Sequence, residues 1–303
     1  MNHNSNNYIL LTGATGYLGS YLLRALIRNK YPVVILKRKT SNIKNIPKSN
    51  LIKFFDIQED LSYLFKEIKN ISIVIHLSTC YGRNNETKKN IYDSNFFFPA
   101  KLFKHCEKNG VDFFINCDSA LPRNLNYYSK SKNDFYCYAI KRRELSDLKF
   151  INMKMQYFFG PGDDINKFPS MIIDSCIKNE EEIKLSQCEQ VRDFIYIDDV
   201  VDAFICILNN RNKIIKHNLK NEFEIGLGKG ITLRILANMI KKITSSNTLL
   251  SFGTLDYRKN EIMNLVADNR ELKKIGWMPK YSLKDALIKV VKEDKKRIYK
   301  NEK

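Results

Sequence analysis

The sequence predicts an α/β fold, a doubly wound parallel sheet with a smaller C-terminal lobe. Three observations predict it. Short, continuous apolar runs alternate with amphipathic helical stretches over the first half of the 303-residue chain. Runs with no polar face belong to strands covered by helices on both sides. A glycine-rich turn joins the first run to the first helical stretch, and no low-complexity linker or internal repeat interrupts the chain.

Tyr8 to Leu11 reads as a buried strand that ends at Thr12-Gly13. Tyr17 to Asn29 has helical spacing through Leu18, Leu22, Ala25 and Leu26. After the break at Pro32, Val33 to Leu36 is a second strand; Leu51 to Phe55 is a third and Ile71 to Leu77 a fourth. A helix from about Ile91 to Lys108 stops at Asn109-Gly110, and Val111 to Cys117 is a fifth strand. Beyond Ile151 the alternation loosens. Helical stretches follow at about 169–178, 198–208 and 233–243, and a Lys-rich amphipathic helix runs from Leu283 to Tyr299.

Composition narrows the functional classes. Apolar residues are 44% and charged residues 28%, the balance of a globular chain with a core. No stretch reaches the ~18 consecutive apolar residues of a membrane helix. The polar N-terminus, Met1 to Asn7, is unlike a signal peptide, so a cytoplasmic protein is expected. The 51 basic and 33 acidic residues give a net charge of +18. They are spread along the chain without a block of five, which speaks for a generally basic surface and against a nucleic-acid or membrane partner. The seven cysteines are odd in number and lack C-x-x-C spacing. The histidines (His3, His76, His105 and His217) have no metal-ligand spacing, so no metal is expected.

The turn is Thr12-Gly13-Ala14-Thr15-Gly16-Tyr17-Leu18-Gly19. Between a strand and a helix, such glycines let backbone approach a pyrophosphate, and the helix N-terminus offers it free N–H groups. This predicts a dinucleotide site. At the end of the second strand, where an acidic residue would hold an NAD ribose, stand Lys37, Arg38 and Lys39. A basic cluster suits a 2′-phosphate, so NADP(H) is expected over NAD(H). Asp56-Ile57 is placed to meet the adenine.

Tyr128 and Lys132 form a Y-x-x-x-K pair on one helix face, where a nearby ammonium would lower the phenol's pKa toward neutrality. Ser119, ending the fifth strand just upstream, could hydrogen-bond the same substrate oxygen.

With these motifs the chain resembles the extended short-chain dehydrogenase/reductase family of nucleotide-sugar epimerases, dehydratases and ketoreductases, from about Ile9 to Ile298. The resemblance also rests on His76-Leu77-Ser78, on Gly160-Pro161-Gly162, and on Arg192-Asp193-Phe194 through Val200. Arg258 with Glu261, and Ile275-Gly276-Trp277-Met278-Pro279, complete it. It implies a Rossmann domain over 1–157 and a substrate-binding lobe over 158–303, with segments near 190–210 returning to the first. It implies that Tyr128 donates the proton, that Lys132 binds the nicotinamide ribose and tunes Tyr128, and that Ser119 orients a carbonyl. Gly13, Thr15, Gly16, Tyr17, Leu18, Gly19, Leu77, Ser78 and Thr79 would line the cofactor. Thr79, Tyr81, Arg83, Tyr157 and Phe168 would contact the substrate, and Arg192 and Arg258 would grip its diphosphate. The competing expectation for Arg192 is a salt bridge with Asp198 or Asp199.

Within the family, a 4,6-dehydratase carries an Asp-Glu pair right after the Ser/Thr, whereas Ala120-Leu121 follow Ser119 here. A 3,5-epimerase/reductase needs a further Cys and His; Leu121 stands at the Cys position and no His occurs between His105 and His217. Tyr157 replaces the Asn by which epimerases commonly contact the nucleotide sugar. The likeness is greater to 4-ketoreductases that finish 6-deoxy- and 3,6-dideoxyhexoses for O-antigens. It rests on Val34 to Arg38, His76 to Arg83 and Gly160 to Asp164. An NADPH-dependent 4-keto-6-deoxysugar reductase is therefore expected, with the sugar between the lobes. The rivals are an NAD-dependent 4-epimerase and a non-catalytic NADP(H) sensor. Family members often dimerise through the helix bearing Tyr128, and the apolar run Phe135 to Ile140 is compatible with a homodimer.

Overall fold

The computed structural model describes residues 7–57, 60–83, 85–216 and 221–301. His3, His217 and residues 1–6 lie outside them. In chain order the first elements are β1 (Tyr8–Thr12), α1 (Tyr17–Arg28), β2 (Val33–Lys37), β3 (Ile52–Asp56), α2 (Leu61–Glu67) and β4 (Ile71–His76). There follow α3 (Lys88–Tyr92), α4 (Phe98–Lys108), β5 (Phe113–Ser119), α5 (Tyr127–Arg143), β6 (Lys149–Met155), β7 (Tyr157–Phe159), α6 (Phe168–Lys178), β8 (Glu182–Leu185), β9 (Val191–Arg192) and β10 (Phe194–Tyr196). The last are α7 (Ile197–Lys216), β11 (Glu222–Ile225), β12 (Ile231–Thr232), α8 (Leu233–Thr244), β13 (Leu249–Phe252), β14 (Asn264–Leu265), α9 (Arg270–Lys274) and α10 (Leu283–Asn301).

A seven-stranded sheet has the order β11-β6-β5-β4-β1-β2-β3. The pairs β1–β2, β1–β4, β2–β3 and β4–β5 are parallel, with Leu11 opposite both Ile35 and Ile75. The apolar runs fill both faces, with Leu11, Ile35, Ile75 and Ile115 fully buried on one and Leu10, Val34, Val74 and Phe114 on the other. The latter four pack with Phe103 of α4 and Phe135 of α5 in one core. This is the doubly wound α/β arrangement that the continuous runs dictate.

By internal contacts the chain divides into two units, 1–154 with 204–223, and 155–203 with 224–303. The returning segment is thus 204–223, later than the stretch near 190–210 that the sequence suggested.

The helix expected over 91–108 starts earlier, at Lys88, and contains a π-helical turn at Asp93–Phe97. Pro99 supplies a reason: it has no N–H to return to the carbonyl four residues back, so the regular ladder cannot cross that point.

In the second unit β7 pairs with β10 in parallel, β9 lies between β12 and β14, and β13 pairs with β8. Two buried carboxylates organise its loops. Asp193 accepts the backbone N–H groups of Leu227, Gly228 and Ala267 at 2.8, 2.8 and 3.2 Å. Asp199 accepts those of Lys280 and Tyr281, while the Trp277 indole donates to the Asp199 carbonyl. The stretch from Arg192 to Val200 is therefore joined to Trp277 and the turn after it through Asp199. Among the described residues no helix is long and apolar enough to cross a membrane.

Candidate active site

The glycine turn forms a tight cradle at the end of β1. Gly13 has φ +72°, and a Cβ there would lie 2.8 Å from the Ser78 nitrogen and 2.9 Å from the Leu77 carbonyl carbon. A Cβ on Gly19 would run into the Gly13 carbonyl. Only glycine allows this approach of two backbones. Thr12 and His76 brace it from below. The Thr12 hydroxyl oxygen accepts the N–H groups of Leu77 and Ser78, both at 3.2 Å, and lies 2.9 Å from His76 Nδ1. Burial pushes the His76 imidazole down to about 3, with the Lys132 charge acting the same way, so the ring is neutral.

The N-terminus of α1 has no side-chain cap; Gly16 holds the cap position in extended backbone. Helices α2, α3, α5 and α8 are capped by Asp60, Thr87, Asn126 and Thr232. The first N–H groups of α1 thus stay open to an anion, beside a backbone surface that side chains would fill. Thr15 and Gly16 are exposed, Tyr17 is half-buried, and Leu18 and Gly19 are buried. These residues fit the pyrophosphate of a dinucleotide.

Lys37, half-buried, ends β2 opposite Asp56 of β3, and Arg38 is exposed beyond it. The Arg38 N–H donates to the Ser41 hydroxyl at 3.1 Å, turning the chain at this edge. The Ile57 N–H donates to the Lys37 carbonyl at 2.7 Å. The two basic side chains are thereby set one strand away from the glycine turn.

Ser119, Tyr128 and Lys132 come together in the first unit. Asn126 caps α5, accepting the Ser129 N–H at 2.9 Å, which fixes where Tyr128 starts its turn. Lys132 donates to the Cys117 carbonyl at 2.6 Å, and its ammonium is 6.0 Å from the Tyr128 ring centre. The Tyr81 ring lies 5.2 Å from that of Tyr128, with the Arg83 guanidinium 5.1 Å above Tyr81. Thr79 donates to the buried Asn95 side chain at 3.0 Å.

One expectation is corrected here. Burial holds the Tyr128 phenol well above its ordinary range, helped by Tyr81, Cys117 and Asp118. The hydrogen bond with Ser119 opposes this more weakly. Lys132 donates to the Cys117 carbonyl and not to the phenol.

In the second unit Tyr157 is exposed at the start of β7 and Phe168 opens α6, half-buried. Arg192 is corrected too. Its partner is neither Asp198 nor Asp199 but Glu261, at 2.5 Å, with the side chain 5% exposed. A further bond runs to the Val191 carbonyl at 2.9 Å, and the guanidinium is 5.5 Å from the Tyr157 ring centre. Asp198 instead pairs with Lys289 at 3.2 Å, and Asp199 is taken up by backbone. Arg258 is exposed, and its carbonyl accepts the Glu261 N–H at 3.1 Å. Sequence reasoning missed Gln156, between β6 and β7. It is 5% exposed and neither side-chain amide atom has a hydrogen-bond partner. A lone glutamine carries no spacing signal that could have found it.

A model of the NAD dependent epimerase/dehydratase family matches residues 9–226. The chain belongs to that family. As a member of that family it is an NAD(P)-dependent nucleotide-sugar enzyme. CDP-abequose synthase of Salmonella typhimurium is 32% identical over 296 residues, 94% of this chain and 97% of its own. A dTDP-4-dehydro-6-deoxyglucose reductase of Escherichia coli is 27% identical over 94% of this chain and 97% of its own. UDP-glucose 4-epimerase of Thermotoga maritima shares the fold, with TM-score 0.83 at 22% identity over 96% of this chain and 99% of its own.

Proposed function

We propose that this family member reduces the 4-keto group of a nucleotide-diphosphate 4-keto-6-deoxy- or 3,6-dideoxyhexose with NADPH, as a step in making sugars for surface polysaccharide. The observation that carries the reading is the convergence of Ser119, Tyr128 and Lys132 in the first unit, with Ala120-Leu121 where a dehydratase has its acid–base pair. A reduction requires a proton donor. The names of the abequose synthase and reductase relatives support the same class.

Bound NADPH would supply the hydride. Ser119 would donate its hydroxyl hydrogen to the carbonyl oxygen, since that hydroxyl oxygen already accepts the Leu121 N–H at 3.2 Å. Tyr128 would deliver its proton as negative charge grows on the same oxygen, and Lys132 would hold α5 against β5 through Cys117. Lys37 and Arg38 would pair with the 2′-phosphate. Tyr81 and Arg83 would meet the sugar beside Tyr128, and Arg192 and Arg258 its diphosphate. A homodimer through α5 fits this reading.

A panel of CDP-, dTDP-, GDP- and UDP-4-keto-6-deoxy sugars tests it, with NADPH absorbance as readout and NMR of the product. Oxidation of NADPH with one base and formation of the 4-hydroxy sugar is expected. No oxidation with any member sinks the proposal.

A further inference from the structure

Behind Ser119 lies a charge cluster that the reaction outlined above does not use. Asp118, directly before Ser119, has a side chain 1% exposed. Its Oδ1 accepts the Ser119 backbone N–H at 2.7 Å. Its Oδ2 accepts from Arg123 Nη1 at 2.6 Å and from Asn152 Nδ2 at 2.9 Å. Glu222 Oε2 accepts from the same two side chains, from Arg123 Nη2 at 3.0 Å and Asn152 Nδ2 at 3.1 Å. Lys154 reaches Glu222 Oε1 at 3.5 Å. Asn116 fixes Asn152 by donating to its Oδ1 at 2.8 Å. The Arg123 guanidinium lies 4.7 Å from the Tyr136 ring centre, which holds its plane.

Two carboxylates therefore converge on one pair of donors, and only one of those donors is charged. A planar fork can bridge two carboxylate oxygens at once, which a point charge cannot. Without it, Asp118 would stand as a buried anion beside a second anion, with almost no access to water. The strain would fall on the Asp118–Ser119 peptide, whose N–H Asp118 holds and whose hydroxyl meets Tyr128.

We propose that Arg123 is a positioning residue for Ser119: by bridging Asp118 and Glu222 it keeps Asp118 in place, and Asp118 sets the Ser119 hydroxyl. The inference rests on reading Ser119 as the group that orients the carbonyl. The side-chain partners of Arg123 are Asp118, Glu222 and the Tyr136 ring, and its effect passes through Asp118.

The test uses Arg123→Met, Arg123→Lys and the double variant Asp118→Asn/Arg123→Met. For Arg123→Met, kcat should fall about ten- to a hundredfold, the scale of a small misplacement. KM and NADPH affinity should stay within about twofold, because the glycine cradle is untouched. Millimolar guanidinium should restore part of kcat, since the Arg123 side chain is 28% exposed. The double variant should recover activity relative to Arg123→Met, because the unpaired charge is gone. A purely structural role predicts a lower melting temperature with no recovery by either route, and that outcome overturns the proposal, as does an unchanged kcat in the folded variant. Should Arg123→Met not fold, Arg123→Lys decides: a partial kcat loss at normal melting temperature supports the bridge, and full activity overturns it. Amide exchange over residues 116–126 separates this inference from the reductase reading, as it needs no turnover. Faster exchange in Arg123→Met, reversed by guanidinium, supports the bridge even if no keto sugar is reduced; unchanged exchange contradicts it.

Discussion

Lys132 donates its ammonium to the carbonyl oxygen of Cys117 at 2.6 Å, across the gap between α5 and β5. Cys117 is two residues before Ser119, and Lys132 is one helical turn after Tyr128. One buried, charge-assisted bond thus sets the distance between the two hydroxyls that would meet a substrate oxygen. The Cys117 thiol is pushed up to about 11 by burial, so it stays neutral beside them.

Replacing Tyr128 with Phe removes the proposed proton donor while keeping the ring against Tyr81. General acid catalysis contributes about 10²–10⁴-fold. Turnover should fall by that amount with NADPH affinity unchanged, as measured by steady-state kinetics and fluorescence titration. Near-normal turnover would show that another group delivers the proton.

Lys37 and Arg38 are expected to select NADPH. Charge-assisted hydrogen bonds contribute about 1.5–3 kcal/mol each when well ordered, and less at the exposed Arg38. The double change to Ala should weaken NADPH by roughly tenfold or more and leave NADH nearly as it was. Equal losses for both cofactors would place the two side chains away from the 2′-phosphate.

Glu261 neutralises a guanidinium that is almost fully enclosed. Removing one partner of a buried pair costs about 3–5 kcal/mol, and less here because the Glu261 side chain keeps 19% of its surface exposed. Thermal unfolding of Glu261→Gln should therefore show a clear drop in melting temperature. An unaltered curve would mean that Arg192 finds another counter-charge.

His76 makes stability depend on pH. Its folded value is about 3, against about 6.5 for an unfolded histidine. Between these values the unfolded chain binds the extra proton. The contribution is whole above pH ~6.5 and is lost as pH falls toward 3, at up to about 1.4 kcal/mol per unit. Melting temperature should drop between pH 7 and pH 5, and less steeply in His76→Gln. Parallel curves for the two proteins would assign the acid sensitivity to other groups.

Four of the five leading strands were legible as runs of mostly buried apolar residues and the third, with Lys53 and Phe54 exposed, by its short apolar pattern; their ends shifted by only a residue or two. The β6 strand was not, because Asn152 and Lys154 interrupt its apolar pattern to serve the cluster behind Ser119. The helix expected to stop near Leu208 continues to Lys216, since Asn209 and Asn210 hide the return of the apolar stripe at the buried Ile214. Ser119, Tyr128 and Lys132 were readable from spacing along one strand and one helix. Their electrostatics were not, since the phenol's burial and the carbonyl that takes Lys132 depend on tertiary packing. Arg192 misled for the same reason: nearby Asp198 and Asp199 looked available, while Glu261 lies far along the chain. Arg123 had no signal at all, because Asp118, Asn152 and Glu222 meet only through the sheet order.

The most direct test of the central claim is a cofactor count. With the accepted 4-keto sugar in limiting amount, NADPH oxidised is measured by absorbance and product sugar by NMR on the same sample. A reductase oxidises one NADPH for each 4-hydroxy sugar formed, and that equality is the result expected. Interconversion of two 4-hydroxy epimers with no net change in nicotinamide absorbance would contradict it and make the chain a 4-epimerase.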